Sequence, residues 1–125
     1  MQHTFYSSGD AKTISWAIQT GDSIQEQTRD HAEIYNGKVS TLQSKYIALH
    51  VGLFWGIGAF ILRNNDSIKI KLDEKAMYDQ ITSNSFAEDF LIEKRIQFIK
   101  QLIAQRKFDV EFELIDKKEN LAKKT

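Results

Sequence analysis

Between Lys45 and Arg63 the chain runs for 17 residues without a formal charge. A helix that is apolar on every side is either a membrane span or the central helix of a packed core. Seventeen residues is also the lower limit for crossing a bilayer. The run is too weak for a span. His50 lies inside it, Gly52, Gly56 and Gly58 dilute its hydrophobicity, and only the 12 residues from Val51 to Leu62 are free of a polar side chain. The segment therefore predicts a buried helix, capped by Ser40 or Thr41, and no membrane partner. Such a helix constrains the whole chain, because the other elements must supply its walls.

At 125 residues the chain is expected to form a single domain, 1–125, large enough to bury its apolar surface without staples. The absence of cysteine removes disulfides, and the absence of proline favours uninterrupted strands and helices. With 17 basic and 17 acidic residues the formal charge is zero. No overall field then draws the protein to phosphate or anionic lipid, and nucleic acid would have to be held by a local patch. The opening residues Gln2, His3 and Thr4 lack the basic and apolar regions of a secretory signal, so a cytoplasmic location is the expectation.

Periodicity supplies the walls. His3 to Ser7 and Thr13 to Gln19 are rich in aromatic and β-branched residues and predict two strands, with a turn at Gly9-Asp10. In the second, Ile14, Trp16 and Ile18 fall on one side. Ser23 to Ala32 alternates with little apolar content, as an exposed edge strand does, and could pair with a second copy. Ser67 to Leu72 predicts a fourth strand, Glu74 to Ile81 a short helix, and Phe86 to Lys107 a surface helix laid on the sheet. Phe108 to Ile115 predicts the fifth strand and Lys118 to Lys124 a last helical turn or two. Trp16, Trp55, Phe54 and Phe60 sit at positions a core would fill. His3, His31 and His50 show no metal or catalytic spacing, and His50 reads as a satisfied core histidine.

Several short segments share the pattern of one family. Gln43-Ser44-Lys45-Tyr46-Ile47-Ala48-Leu49 is similar to a Glu-Ala-Glu-Tyr-Ile-Ala-Leu motif, and Ile70-Lys71-Leu72-Asp73-Glu74 to a strand ending in Thr-Asp-Ser. Phe5-Tyr6-Ser7-Ser8-Gly9 is similar to an opening Tyr-x-Asp-Gly strand, and Glu119-Asn120-Leu121-Ala122-Lys123 to a Glu-Asn-x-x-Ala-Asp ending. Together they resemble the ribonuclease H type 1 family, including the ribonuclease H domains associated with reverse transcriptases. The resemblance implies an α/β fold with a mixed five-stranded sheet, a three-strand antiparallel meander followed by two further strands, and helices on both faces.

Family chemistry uses four carboxylates on two divalent cations, which activate water and stabilise the leaving oxygen of a phosphodiester. Carried over position by position, those carboxylates fall on Ser8, Lys45, Asp73 and Lys123, and only Asp73 is acidic. An ammonium repels a magnesium ion. The expectation is therefore a domain that is not an enzyme and holds no metal or cofactor, serving as a protein-interaction or scaffold module. A first alternative is weak binding of RNA or an RNA/DNA hybrid through a basic patch at the former site. A second is a magnesium-dependent ribonuclease with a shifted set of acids drawn from Asp10, Glu74 and Glu119. Asp73 also has a purely structural reading, as the N-cap of the helix that follows it.

Overall fold

In the computed structural model, which describes residues 1–83 and 86–122, five strands form one sheet in the order β3-β2-β1-β4-β5. β1 (Gln2–Gly9), β2 (Thr13–Thr20) and β3 (Ser23–Asp30) make an antiparallel meander, tightened at Gly21, whose φ of 59° suits a residue without a Cβ. The chain then enters α1 (Thr41–Gly58) and returns as β4 (Ser67–Leu72), parallel to β1. α2 (Lys75–Thr82) and α3 (Phe90–Arg106) lead to β5 (Asp109–Leu114), parallel to β4. A 3₁₀ turn, Lys117–Glu119, follows.

One face of the sheet, carrying Phe5, Ile14, Trp16, Ile18, Ile68 and Ile70, shares a single buried cluster with residues of α1, α2 and α3. The opposite face buries Tyr6 and Ala17 against Ile115 and Ala122 from the segment around the 3₁₀ turn. Helical segments thus lie on both faces, as the resemblance implied.

Ser40 rather than Thr41 caps α1. Its hydroxyl accepts from the Gln43 N–H at 3.1 Å, while the Gln43 side chain accepts from the Ser40 N–H at 2.9 Å. From Ser44 to Leu49 every residue of α1 is buried, but beyond Val51 only Gly52, Leu53 and Gly56 are. The helix is therefore enclosed over its first half and one-sided over its second. That corrects the expectation for two aromatics: Phe54 is 65% exposed, and Phe60 is 77% exposed in a left-handed turn that ends the helix. Trp16 is buried and Trp55 half-buried. Among the described residues no helix is long and apolar enough to cross a membrane.

Two boundaries also move. α3 begins at Phe90, because the Asp89 carboxylate accepts from the Ile92 N–H at 3.0 Å and sets the first turn. It packs chiefly on α1 and shares one buried cluster with the sheet. The predicted terminal helix is only the 3₁₀ turn over the described residues, and Lys123 and Lys124 lie outside them.

Candidate functional site

β1, α1 and β4 carry Ser8, Lys45 and Asp73 to one end of the sheet, because β1 and β4 run parallel and α1 crosses the face above them. The Lys45 ammonium donates to Asp73 Oδ1 at 3.0 Å and lies 3.6 Å from a carboxylate oxygen of Glu74. The other Asp73 oxygen accepts from the Asn120 amide at 3.0 Å. Asn120 also donates to the Ser7 carbonyl at 2.9 Å and accepts from the Ala122 N–H at 2.9 Å. A charge taken from water is tolerated when paired and hydrogen-bonded, and here both partners of the ion pair are buried. Asp73 is therefore not a helix cap. Glu74 holds the N-cap position of α2, with no side-chain cap bond.

Asn120 is the residue whose role the sequence did not disclose. It clips the chain after β5 to both β1 and Asp73. Ser15 reinforces the clip by donating its hydroxyl proton to the Ala122 carbonyl at 2.6 Å. Lys123, the remaining position matched to a family carboxylate, lies outside the described residues.

Beside Lys45 opens a cleft of about 210 Å³, walled by Ser8, Asp10, Thr13, Ser15, Thr28, Thr41, Asp73 and Lys117. Asp10 thus shares the cleft with Asp73. Glu119 instead lines a neighbouring cavity with Asp73, and its carboxylate accepts from the Asp116 N–H at 3.4 Å. The Asp10 carboxylate closes the β1–β2 turn by accepting from the N–H groups of Lys12 and Thr13, both at 2.8 Å. The histidines stay apart. His3 bonds to Asp66, His31 to Ser44, and His50 to Arg95.

The backbone bonds from Thr13 and Lys12 hold the Asp10 carboxyl below its ordinary value of 3.8. A carboxyl depressed on folding adds stability that is complete above the ordinary value and is lost as pH falls through the lowered one. Asp10→Asn is therefore expected to destabilise the protein at neutral pH and to match the wild type in strongly acid solution. Urea midpoints measured across pH check this, and a difference that stays constant with pH would contradict it.

Magnesium requires a set of hard oxygen donors in near-octahedral array. Both Asp73 oxygens are already engaged, β1 offers Ser8, and among the described residues no three His, Asp or Glu side chains gather. The donors present do not fit a two-metal centre.

No protein-family model and no curated protein sequence matches the chain. Solved structures do. The chain is similar to ribonuclease H1 of the halophilic archaeon Halobacterium salinarum, with a TM-score of 0.78 and 16% identity over 96% of this chain and 89% of that one. It is similar to the N-terminal ribonuclease H domain of a Mycobacterium tuberculosis protein, with a TM-score of 0.75 and 12% identity over 98% and 92%. A ribonuclease H1 isolated from compost, solved in complex with an RNA/DNA hybrid, gives a TM-score of 0.62 and 12% identity over 96% and 88%. At these identities the likeness carries the fold.

The expectation that the chain is not an enzyme is overturned by this comparison. It rested on single residues, whereas structures that share the fold over nearly the whole chain include ribonucleases H1.

Proposed function

From the ribonuclease H-like fold of this chain, we propose that it engages the phosphodiester backbone of nucleic acid, an RNA/DNA hybrid first among substrates, at the cleft beside Lys45. The carrying observation is the make-up of that cleft, where the hydroxyl-bearing residues Ser8, Thr28 and Thr41 stand with Lys117, and where the Lys45 ammonium offsets one of the two carboxylates in the wall, Asp73 and Asp10. Hydroxyls and ammonium groups are the donors that phosphate oxygens accept from. The first turn of α1 opens at this cleft with no acidic residue in it, so its backbone dipole adds to the attraction. That a compost ribonuclease H1 of the same fold has been solved with an RNA/DNA hybrid supports the choice of substrate.

Titration of a fluorescently labelled hybrid, followed by anisotropy at several salt concentrations, tests the proposal. Affinity is expected to fall log-linearly with salt, and Lys117→Glu to lower the slope by about one phosphate contact or more. Binding that is absent at low salt, or insensitive to both salt and Lys117→Glu, would defeat it. Following the RNA strand on a gel in the same samples, with magnesium, manganese or chelator, reads whether the domain cleaves what it binds.

A further inference from the structure

The exposed second half of α1 forms the floor of a second, larger cavity of about 600 Å³, far from Lys45 in character. Phe54, Trp55 and Val51 make the floor apolar, and Gly58 leaves it open, with nothing within 4 Å of where its Cβ would sit. Arg29 of β3 and Arg95 of α3 line it as well.

Both guanidinium groups are held in place by uncharged partners. Arg29 lies 5.3 Å over the Trp16 ring. Arg95 donates to His50 Nδ1 at 2.8 Å and to the Tyr35 hydroxyl at 3.2 Å, and lies 5.8 Å over the Tyr35 ring. Because arginine can only donate, His50 Nδ1 is an acceptor, the ring is neutral there, and the stack of His50 on Phe98 at 5.7 Å fixes its plane. Among the described residues neither guanidinium meets a carboxylate within ion-pair distance. Two oriented, uncompensated cations thus share the cavity with an apolar floor.

β3 closes one flank and is itself open. Among the described residues it pairs only with β2, and no other strand lies along its outer edge. Gln25, Gln27 and Arg29 lie across from Ile18, Trp16 and Ile14 and so share the α1-facing side of the sheet. An extended segment added along this edge would run past Arg29, which shares the cavity with Phe54.

We propose that this groove docks an acidic segment of a partner protein, which lays a large apolar side chain on Phe54 and Trp55 and sets carboxylates on Arg29 and Arg95. Charge complementarity selects this occupant. A guanidinium recognises a carboxylate in a planar, two-pronged geometry, and aromatic and arginine side chains are those that dominate protein interfaces energetically. An apolar floor without such cations would accept any greasy segment, whereas this one rejects an uncharged or basic peptide of equal hydrophobicity. The site is separate from the cleft proposed for nucleic acid and does not depend on it.

The test uses the full chain and a fluorescein-labelled peptide that alternates Asp or Glu with Leu and Phe. Its twin carries Asn and Gln in place of the acids. The acidic peptide is expected to bind in the micromolar range. Binding should weaken about ten-fold or more for the twin, for Arg29→Gln and for Phe54→Ser, while Lys117→Glu leaves it unchanged. Arg29 and Phe54 are both exposed, so these variants keep their fold, which the amide NMR spectrum verifies. Equal binding of the two peptides would overturn the proposal, as would indifference to Phe54→Ser. So would a single-stranded oligonucleotide competing the peptide off the groove, or a concentration-dependent self-association that Arg29→Gln abolishes, since each names a different occupant.

Discussion

Lys45→Met is expected to lower the free energy of unfolding by about 3–5 kcal/mol. The methionine side chain nearly fills the volume of the lysine stem, so packing is kept and the charge alone is removed. What remains is the Asp73 carboxylate, its side chain 3% exposed, with one oxygen stripped of the ammonium that lay 3.0 Å away. Leaving one member of a buried pair uncompensated is costly, because the desolvation penalty of that group is no longer offset by attraction. Removing both charges is a different matter, and Lys45→Met combined with Asp73→Asn should recover much of the loss. A double-mutant cycle by urea unfolding gives the coupling directly. A loss for Lys45→Met below about 1 kcal/mol, the value of a surface pair, would show that the contact does not hold α1 to the end of β4. The variant also bears on nucleic acid, since it leaves the Asp73 carboxylate uncompensated in the wall of the proposed phosphate cleft and should weaken hybrid binding beyond its effect on stability.

The pairing of Lys45 with Asp73 marks how far the surroundings of a single position are legible in sequence. The run Tyr46-Ile47-Ala48-Leu49 fixes the register of Lys45 on α1, so its neighbourhood to the ends of β1 and β4 was legible from sequence order. Its partner lies 28 residues away, and no local pattern marks which of Asp73 or Glu74 it meets. The meander was equally legible, because alternation in β2 survives on both sides of Trp16 and Gly21 marks the turn into β3. The exposure of Phe54 was not. A helix apolar on all sides carries no periodic signal for the side its neighbours leave uncovered, and that side is decided by where α3 crosses α1. Asn120 belonged to a recognised tail motif, yet its bond to the Ser7 carbonyl depends on how the chain folds back after β5, which no spacing encodes.

Gly52→Val is expected to be the most damaging change at a glycine of α1, costing about 3 kcal/mol or more by overpacking. Helix propensity alone points the other way, since glycine inside a helix is about 1 kcal/mol less favourable than alanine. Packing decides the sign. A Cβ at Gly52 would stand 2.6 Å from the tip of the Phe5 ring and 2.8 Å from Cγ of Trp16, and both aromatic residues are fully buried. Neither neighbour is the far end of a flexible chain. Trp16 Cγ lies one bond from its Cβ, so relief requires β2 or the helix axis to move. For Gly52→Ala the propensity gain offsets part of the clash and the net loss should stay within about 2 kcal/mol. The two extra methyl groups of valine have no such offset. Gly58 supplies the control within the same helix, because nothing lies within 4 Å of its Cβ position. Gly58→Ala should therefore be neutral or slightly stabilising by the propensity term alone. Thermal unfolding of the three variants separates the two effects, and a stabilised Gly52→Ala would mean that α1 stands farther from the sheet than the contacts with Phe5 and Trp16 require.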